Sequence, residues 1–592
     1  MRLRIAFGLL WGTLVVGRVH AADAVTFHGQ IQPLLFQHCA GCHRPGGAAP
    51  FPLLTFEEAA KRAQDLADVT ARRYMPPWLP APGSHPFVEE RRLGDGDIAL
   101  FRRWADAGAP RGDPAKAPPM PTWNDGWQLG KPDLVVQLPK PYTVPAEGRD
   151  VYRNFVLPLN LSQARHVRAW ELRPHSRAAH HAFLRVDAVG EGRRLDGKDP
   201  EPGFPGMDVP SVIQAPGGHF ASWQPGAAPQ QNPPGLAWTL QPGTDLILQA
   251  HLQPTGIPES FQPELGLYFT DQAPTNQPMK LGLGSVAIDV PPGQSNVVVR
   301  DEFVLPAEVE ILGLLPHTHY LGRRIEGTAV LPDGREETLL MIPDWDFNWQ
   351  GAYRFREPVR LPEGTRLRLA LTFDNTTNNV RNPFSPPRRA RYGPNTTDEM
   401  AELWVQLLPR TPEGRARLDK ALLERIARDT VAYSRERLRL DPNDGTAWVN
   451  LGKALLSQRR LAEAETHFRK AVEVAPDLDE GHYYVGLLHR IQDRPAEARA
   501  AFLKAIQINP NHARAQGNLG FVEAESGRLS EASIHLAEAL RLDPKDVLAL
   551  TLLGKIRLQQ GDRAAARELF RRALALDPRN PDALQGMSSL SR

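Results

Sequence analysis

In the last third of this 592-residue chain, Pro442, Pro476, Pro510, Pro544 and Pro578 recur every 34 residues, and a strict period of that length leaves few ways to fold. In phase with them stand Gly452, Gly486, Gly520 and Gly554, which permit close helix contact, and Ala471, Ala505, Ala539 and Ala573, at the tight point of a second helix. One helix pair cannot bury its apolar stripe alone. About four pairs must therefore stack into a solenoid, with a short helix near Asp582 to Ser589 as a partial cap.

The period and its phase are those of tetratricopeptide repeats, which assigns residues 413–592 to an all-α solenoid that docks a protein partner. The remaining length suits several more domains, about three to five in all. A formal net charge of +2, from 70 basic and 68 acidic residues, gives no sign of a nucleic-acid surface or a polybasic membrane patch.

At the N-terminus, Arg2 and Arg4, an apolar run from Ile5 to Val16, and Val19-His20-Ala21 read as a signal peptide over residues 1–21, cleaved after Ala21. The run is too short to span a membrane comfortably, and no later segment has about 18 uninterrupted apolar residues. The expectation is an exported, periplasmic protein without a membrane span.

Only two cysteines are present, in Cys39-Ala40-Gly41-Cys42-His43. This is the CxxCH pattern of covalent haem attachment, in which two thiols hold the haem and the adjacent histidine ligates iron. Met75, in Tyr74-Met75-Pro76-Pro77-Trp78, is the expected second axial ligand, ahead of Met120 in the proline-rich exit. With helices expected over Phe56 to Arg73 and Asp95 to Ala107, residues 25–112 read as a small all-α cytochrome c, resembling those with a methionine loop. Residues 113–124 read as a proline-rich linker.

Beyond it, short alternating runs broken by proline and glycine read as strands, among them Asp133 to Leu138, Thr244 to Leu252, Asn296 to Val304 and Thr365 to Phe373. Residues 125–275 and 276–412 are expected as two all-β sandwiches. His317 and His319, two apart in an extended segment, project from one face and can clamp one ion. His180, His181 and His251 are available for a second site. Adjacent strand residues face opposite sides, so His180 and His181 can share a metal only where the strand bulges or ends. Surface or core histidines would give the same pattern.

Taken together, the order of these residues resembles the type II copper, ascorbate-dependent monooxygenases, the family of peptidylglycine alpha-hydroxylating and dopamine beta-monooxygenases. The matching motifs are the pair His180-His181, His251 in Leu248-Gln249-Ala250-His251, the run His317-Thr318-His319 followed by Leu321-Gly322, and Met400 in Thr397-Asp398-Glu399-Met400. The resemblance covers roughly residues 130 to 410 and implies two jelly-roll-like sandwiches, each holding one copper across an open cleft. It also implies that copper at His317, His319 and Met400 activates oxygen and removes hydrogen from a substrate carbon. Copper at His180, His181 and His251 would supply the other electron. A thioether is a good ligand for Cu(I), which suits Met400 to an open redox site; Met341 is the rival sulfur. Where peptide-amidating members carry an arginine, an asparagine and a tyrosine for a substrate carboxylate, this chain has Leu315, Glu402 and Trp404. Glycine-extended peptides are therefore not the expected substrate.

The leading expectation is a periplasmic copper monooxygenase acting on a small organic substrate with O2. It would carry two coppers and one covalent haem c, exchange electrons through the haem with an external donor, and dock a partner through its repeats. A non-catalytic haem and copper electron-transfer scaffold, or an assembly factor led by the repeats, stays open from sequence.

Overall fold

The computed structural model describes residues 24–591, apart from 48, 84, 124, 125, 208, 211 and 394; the expected signal peptide lies outside the described residues. The chain divides into two compact units. The first comprises residues up to Trp78 together with Glu90–Trp123, and the second comprises Leu79–Glu89 and everything from Asn124 onward.

Four helices build the first unit: α1 (Gln32–His38), α2 (Phe56–Ala60), α3 (Ala63–Ala71) and α4 (Asp95–Asp106). Thr55 and Glu58 form a capping box that starts α2, satisfying backbone donors at both ends of the box. The helix expected over residues 56–73 is two helices, because the backbone leaves helical geometry at Arg62, whose guanidinium donates back to the Glu58 carbonyl at 3.3 Å. Phe27, Ile31, Leu35, Leu66, Phe101 and Trp104 form its buried core.

The second unit holds the β-rich region and the C-terminal helices. Its first half has eight principal strands: β1 (Leu134–Gln137), β2 (Val151–Pro158), β3 (Arg165–Arg173), β4 (Ala179–Asp187), β5 (Ile213–Gln214), β6 (Trp238–Leu240), β7 (Asp245–Leu252) and β8 (Glu264–Thr270). They form two antiparallel sheets, ordered β1-β8-β3-β6 and β2-β7-β4-β5, with short strands at their edges and a short helix, α5 (Glu191–Asp196). Val136, Leu172 and Leu265 of one sheet share a single core with Phe155, Leu184 and Leu248 of the other.

The second half repeats the plan. Its strands are β9 (Met279–Gly284), β10 (Ser295–Val304), β11 (Val309–His317), β12 (Gly322–Val330), β13 (Glu336–Ile342), β14 (Tyr353–Leu361), β15 (Arg366–Asp374) and β16 (Glu402–Pro409). The sheets are β9-β16-β11-β14 and β10-β15-β12-β13, so each half has the same serial order of strands. Burial alternates along β15 in step with the side-chain period of two, so one face of the sheet is core. The segment Leu79–Glu89 packs on this half: Phe87 stacks on Phe355 at 5.0 Å, and the Ala81 amide donates to the Met341 carbonyl at 2.7 Å.

Helix α6 (Pro412–Leu440) leads into paired helices α7 (Gly445–Ser457) through α14 (Arg563–Leu576), closed by α15 (Pro581–Ser591). The buried Arg425 guanidinium of α6 pairs with Asp301 and donates to the carbonyls of Gly282 and Glu302 at 3.0 and 3.2 Å, fixing the helix to the second half. The periodic glycines do what their spacing implies. A Cβ on Gly452 would stand 2.4 Å from the Phe468 ring, and Gly486 and Gly554 are equally occluded by Phe502 and Phe570. Among the described residues no helix is long and apolar enough to cross a membrane.

Candidate metal centre

His251 lies near the end of β7, paired in register with Tyr152 of β2 on one side and His181 of β4 on the other. The β4–β7 register then shifts, so that Leu252 faces Ala179 and His180 is the extra residue of a bulge. This is the condition under which adjacent histidines can turn toward one point. The ligand atoms of His180, His181 and His251 lie within 4.8 Å of one another. His180 Nδ1 is 3.1 Å from His181 Nδ1 and 3.2 Å from His251 Nδ1.

Hydrogen-bond chemistry assigns the His251 tautomer. Its Nε2 is 2.7 Å from Asp150 Oδ2, and an ionised carboxylate only accepts, so Nε2 carries the proton and Nδ1 offers a lone pair to the cluster. Tyr152 stacks on the His251 ring at 4.2 Å and fixes its plane. Nitrogens about 2.0–2.1 Å from a shared ion stand a little over 3 Å apart, so this triad fits a nitrogen-bound metal. Burial, with His251 adding repulsion and Asp150 opposing, holds His180 down to about 4. Burial and the neighbouring imidazoles hold His181 well below the usual range. Neutral imidazole is the form that ligates.

The second group forms where β11 ends. His317 is its last residue and His319 follows two residues later, with their ring centroids 5.2 Å apart. Thr318 between them is buried and turns to Glu399. Glu399 accepts from the Thr318 hydroxyl and the His319 amide at 3.1 Å each, and from the Leu321 amide at 2.7 Å. Burial pushes its carboxyl up to about 8 against the pull of these donors. Met400 is the next residue, and Glu402 is the register partner of His317, so one carboxylate ties the methionine segment to the His-Thr-His turn.

His319 Nδ1 donates to the Asp398 carbonyl at 3.0 Å, and His317 Nδ1 lies 2.6 Å from Gln350 Oε1. Both rings therefore keep Nε2 for a ligand, whereas His251 of the triad offers Nδ1. Burial, then His317, holds His319 down to about 3. Two imidazoles, with Met400 next to the carboxylate that holds their turn, suit a soft, redox-active ion. The buried Phe347 ring lies 6.2 Å from His180 and 5.6 Å from His319, so it borders both groups.

In the first unit, the Cys42 and His43 amides donate to the Cys39 carbonyl at 3.1 and 2.9 Å, closing a turn that carries both thiols. Burial, with Cys42 nearby, pushes the Cys39 thiol up to about 12. His43 Nδ1 donates to the Phe51 carbonyl at 3.0 Å, which leaves Nε2 for iron and fits a haem-ligating histidine. Met75 follows α3, its amide held by the Val69 carbonyl at 3.2 Å.

Tetratricopeptide repeat family models match residues 410–479 and 449–513, residues 489–556, and residues 547–580. The C-terminal helices are tetratricopeptide repeats. No curated protein matches the chain. Solved structures similar to it include pilF of Pseudomonas aeruginosa, 28% identical over 25% of this chain and 67% of that one, with TM-score 0.23. YrrB, a TPR protein with an unusual peptide-binding site, is 23% identical over 28% of this chain and 85% of its own, with TM-score 0.24. MamA is 23% identical over 27% and 94%, with TM-score 0.24.

The tetratricopeptide repeats support protein-partner binding. Asp150, Gln350, Phe347 and Glu399 are the functional neighbours that sequence reasoning missed. Only Glu399 carried a signal, its place inside the Asp398-Glu399-Met400 motif.

Proposed function

We propose that the β-rich region is a copper-dependent monooxygenase that hydroxylates a C–H bond of an organic substrate with O2. The chain would be exported to the periplasm, exchange electrons through a haem c held by Cys39, Cys42, His43 and Met75, and dock a protein partner through its repeats. The observation that carries this reading is the convergence of the His180, His181 and His251 nitrogens, with Phe347 bordering both this triad and the His317 and His319 pair.

His180, His181 and His251 would hold one copper, and His317, His319 and Met400 the other. When bound, copper supplies one-electron redox chemistry and a place for oxygen. The chain's own residues do the positioning. Asp150 fixes the His251 tautomer, while Glu399 sets the spacing of the His-Thr-His turn. The finer description of both halves as jelly-roll-like sandwiches belongs to the same proposal. Its support is the shared serial order, in which one sheet runs first-eighth-third-sixth and the other second-seventh-fourth-fifth.

Oxygen uptake by copper-loaded full-length protein with a reductant is the test. Copper-dependent uptake that Met400→Ala abolishes, while the triad keeps its ion, is expected. Tightly bound copper with no uptake would instead support the non-catalytic electron-transfer scaffold.

A further inference from the structure

Two sheet faces look at each other between the β halves, and each carries a cation four residues from its histidines. On β4, His181, Phe183 and Arg185 alternate onto one face. Opposite them, register pairs of β11 and β16 run His317 with Glu402, Leu315 with Trp404, and Gly313 with Gln406. Strand β9 continues the line, with Gly282 beside Trp404 and Lys280 beside Gln406. That this face meets the first half is shown by Gln406, whose amide lies 3.3 Å from the Gly218 carbonyl and 3.5 Å from His219 Nδ1.

Trp404 covers the stretch between the two ends. A Cβ on Gly282 would stand 3.1 Å from the indole, so the glycine lets that ring lie over β9. The Lys280 ammonium is 5.9 Å from the indole centroid. Trp404 Nε1 donates to Glu402 at 2.9 Å, a hydrogen bond that turns the carboxylate toward the indole. Lys280 has no carboxylate partner among the described residues. Burial, then the like charge of Arg185, holds its ammonium down to about 8. Arg185 is steadied by two hydrogen bonds to Gln249 Oε1, at 3.1 and 2.9 Å. A half-buried ammonium without a carboxylate partner, and with a like charge near it, is unfavourable until an anion joins it. The other cations close to the His-Thr-His turn are already paired, Arg323 with Asp344 at 3.1 Å and Arg324 with Glu326.

We propose that Lys280, with Arg185 on the facing strand, anchors the anionic end of an organic substrate, a carboxylate or phosphate on an apolar stem that runs along Trp404 toward His317. The four-residue offset between the levels of Lys280 and His317 is about 13 Å at about 3.3 Å per residue, which sets the length of the stem. The assignment of the far end as the reacting end rests on the monooxygenase reading; the anchor itself does not.

Calorimetric titration of the full-length protein, as purified and without reductant, with octanoate, octyl phosphate and octanamide tests this. Saturable binding of one anion, with octanamide at least about tenfold weaker, is expected, and which anion binds separates carboxylate from phosphate. Lys280→Met should lose at least about tenfold in that affinity and melt no lower than wild type without ligand, because it removes a half-buried charge that has no carboxylate partner among the described residues. Lys280→Arg keeps the charge and should retain binding even if the methionine variant proves unstable. Equal binding of anion and amide, unchanged affinity in Lys280→Met, or no binding of either anion would overturn the anchor. Anion binding without any oxygen uptake would keep the anchor and sink the oxidation instead.

Discussion

His251 and Asp150 are joined by a 2.7 Å hydrogen bond from Nε2 to Oδ2 across 101 residues of sequence, and that bond decides which nitrogen of His251 faces the other two histidines. Asp150→Ala releases the tautomer. The triad's metal affinity should fall about 10- to 100-fold, as second-sphere losses do, while the His317 and His319 group is unaffected. Asp150→Asn keeps an acceptor and should lose less. Competition with a chelator, read separately at each site by spectroscopy, checks both.

Glu399 holds the turn between His317 and His319 with three accepted hydrogen bonds. Above about pH 8, where the carboxyl is ionised, Glu399→Gln keeps the shape but sets an amide donor against one of those donors. Leaving a buried donor unpaired costs about 1–3 kcal/mol, so the β region should melt earlier and Met400-side metal binding should weaken with it. An unchanged melting temperature would mean that the turn holds without the carboxylate.

These two carboxylates mark the boundary of what the sequence makes legible. Gly452 and Ala471 repeat locally every 34 residues, and the apolar run Leu246-Ile247-Leu248 before His251 is a property of one strand, so both can be read along the chain. The need for a bulge at His180 was likewise readable, since strand geometry forbids the alternative. Asp150, Gln350 and Phe347 reach the histidines only through long-range pairing, which no local period records. The departure of Leu79–Glu89 into the second unit is decided by tertiary contacts in the same way.

His219 supplies a pH dependence. Burial, with Lys280 adding repulsion and the Leu236 carbonyl opposing, holds its imidazolium down to about 4, and Gln406 is its other polar neighbour. Unfolded histidine titrates near 6.5. As pH falls below that value the unfolded chain takes up a proton that the folded chain refuses, so stability present above 6.5 is lost on the way to about 4. At pH 5 this amounts to about 2 kcal/mol. Thermal unfolding at pH 7 and pH 5 should show a smaller loss for His219→Gln than for wild type. Equal losses would assign the acid sensitivity to other groups.

Cys39 and Cys42 offer two thiols on one closed turn, with His43 Nε2 left free by the Phe51 carbonyl. Haem should stay with wild-type protein in acidified organic solvent, be released by the double variant Cys39→Ala/Cys42→Ala, and remain attached in Met75→Ala with an altered spectrum. Complete extraction from wild type would rule out covalent attachment.

Phe347 is the shared neighbour of both histidine groups. It is 2% exposed, sits on a short turn whose first amide pair is held by Asp346, and has its ring 6.2 Å from His180, 5.6 Å from His319 and 4.8 Å from Tyr320. A ring that borders an imidazole of each group limits how far either can rotate. Phe347→Ala opens a cavity, for which losses of about 3–5 kcal/mol are usual, and frees both sides at once. Metal affinity should therefore fall at both groups in this variant, whereas Asp150→Ala affects only the triad and Met400→Ala only the pair. Phe347→Leu restores most of the volume without the ring. If it recovers both affinities, Phe347 acts by packing. If it recovers stability but not affinity, the flat aromatic face is what orients His180 and His319. Full affinity at both groups in Phe347→Ala, in protein that still melts cooperatively, would show that the two groups are positioned independently of each other.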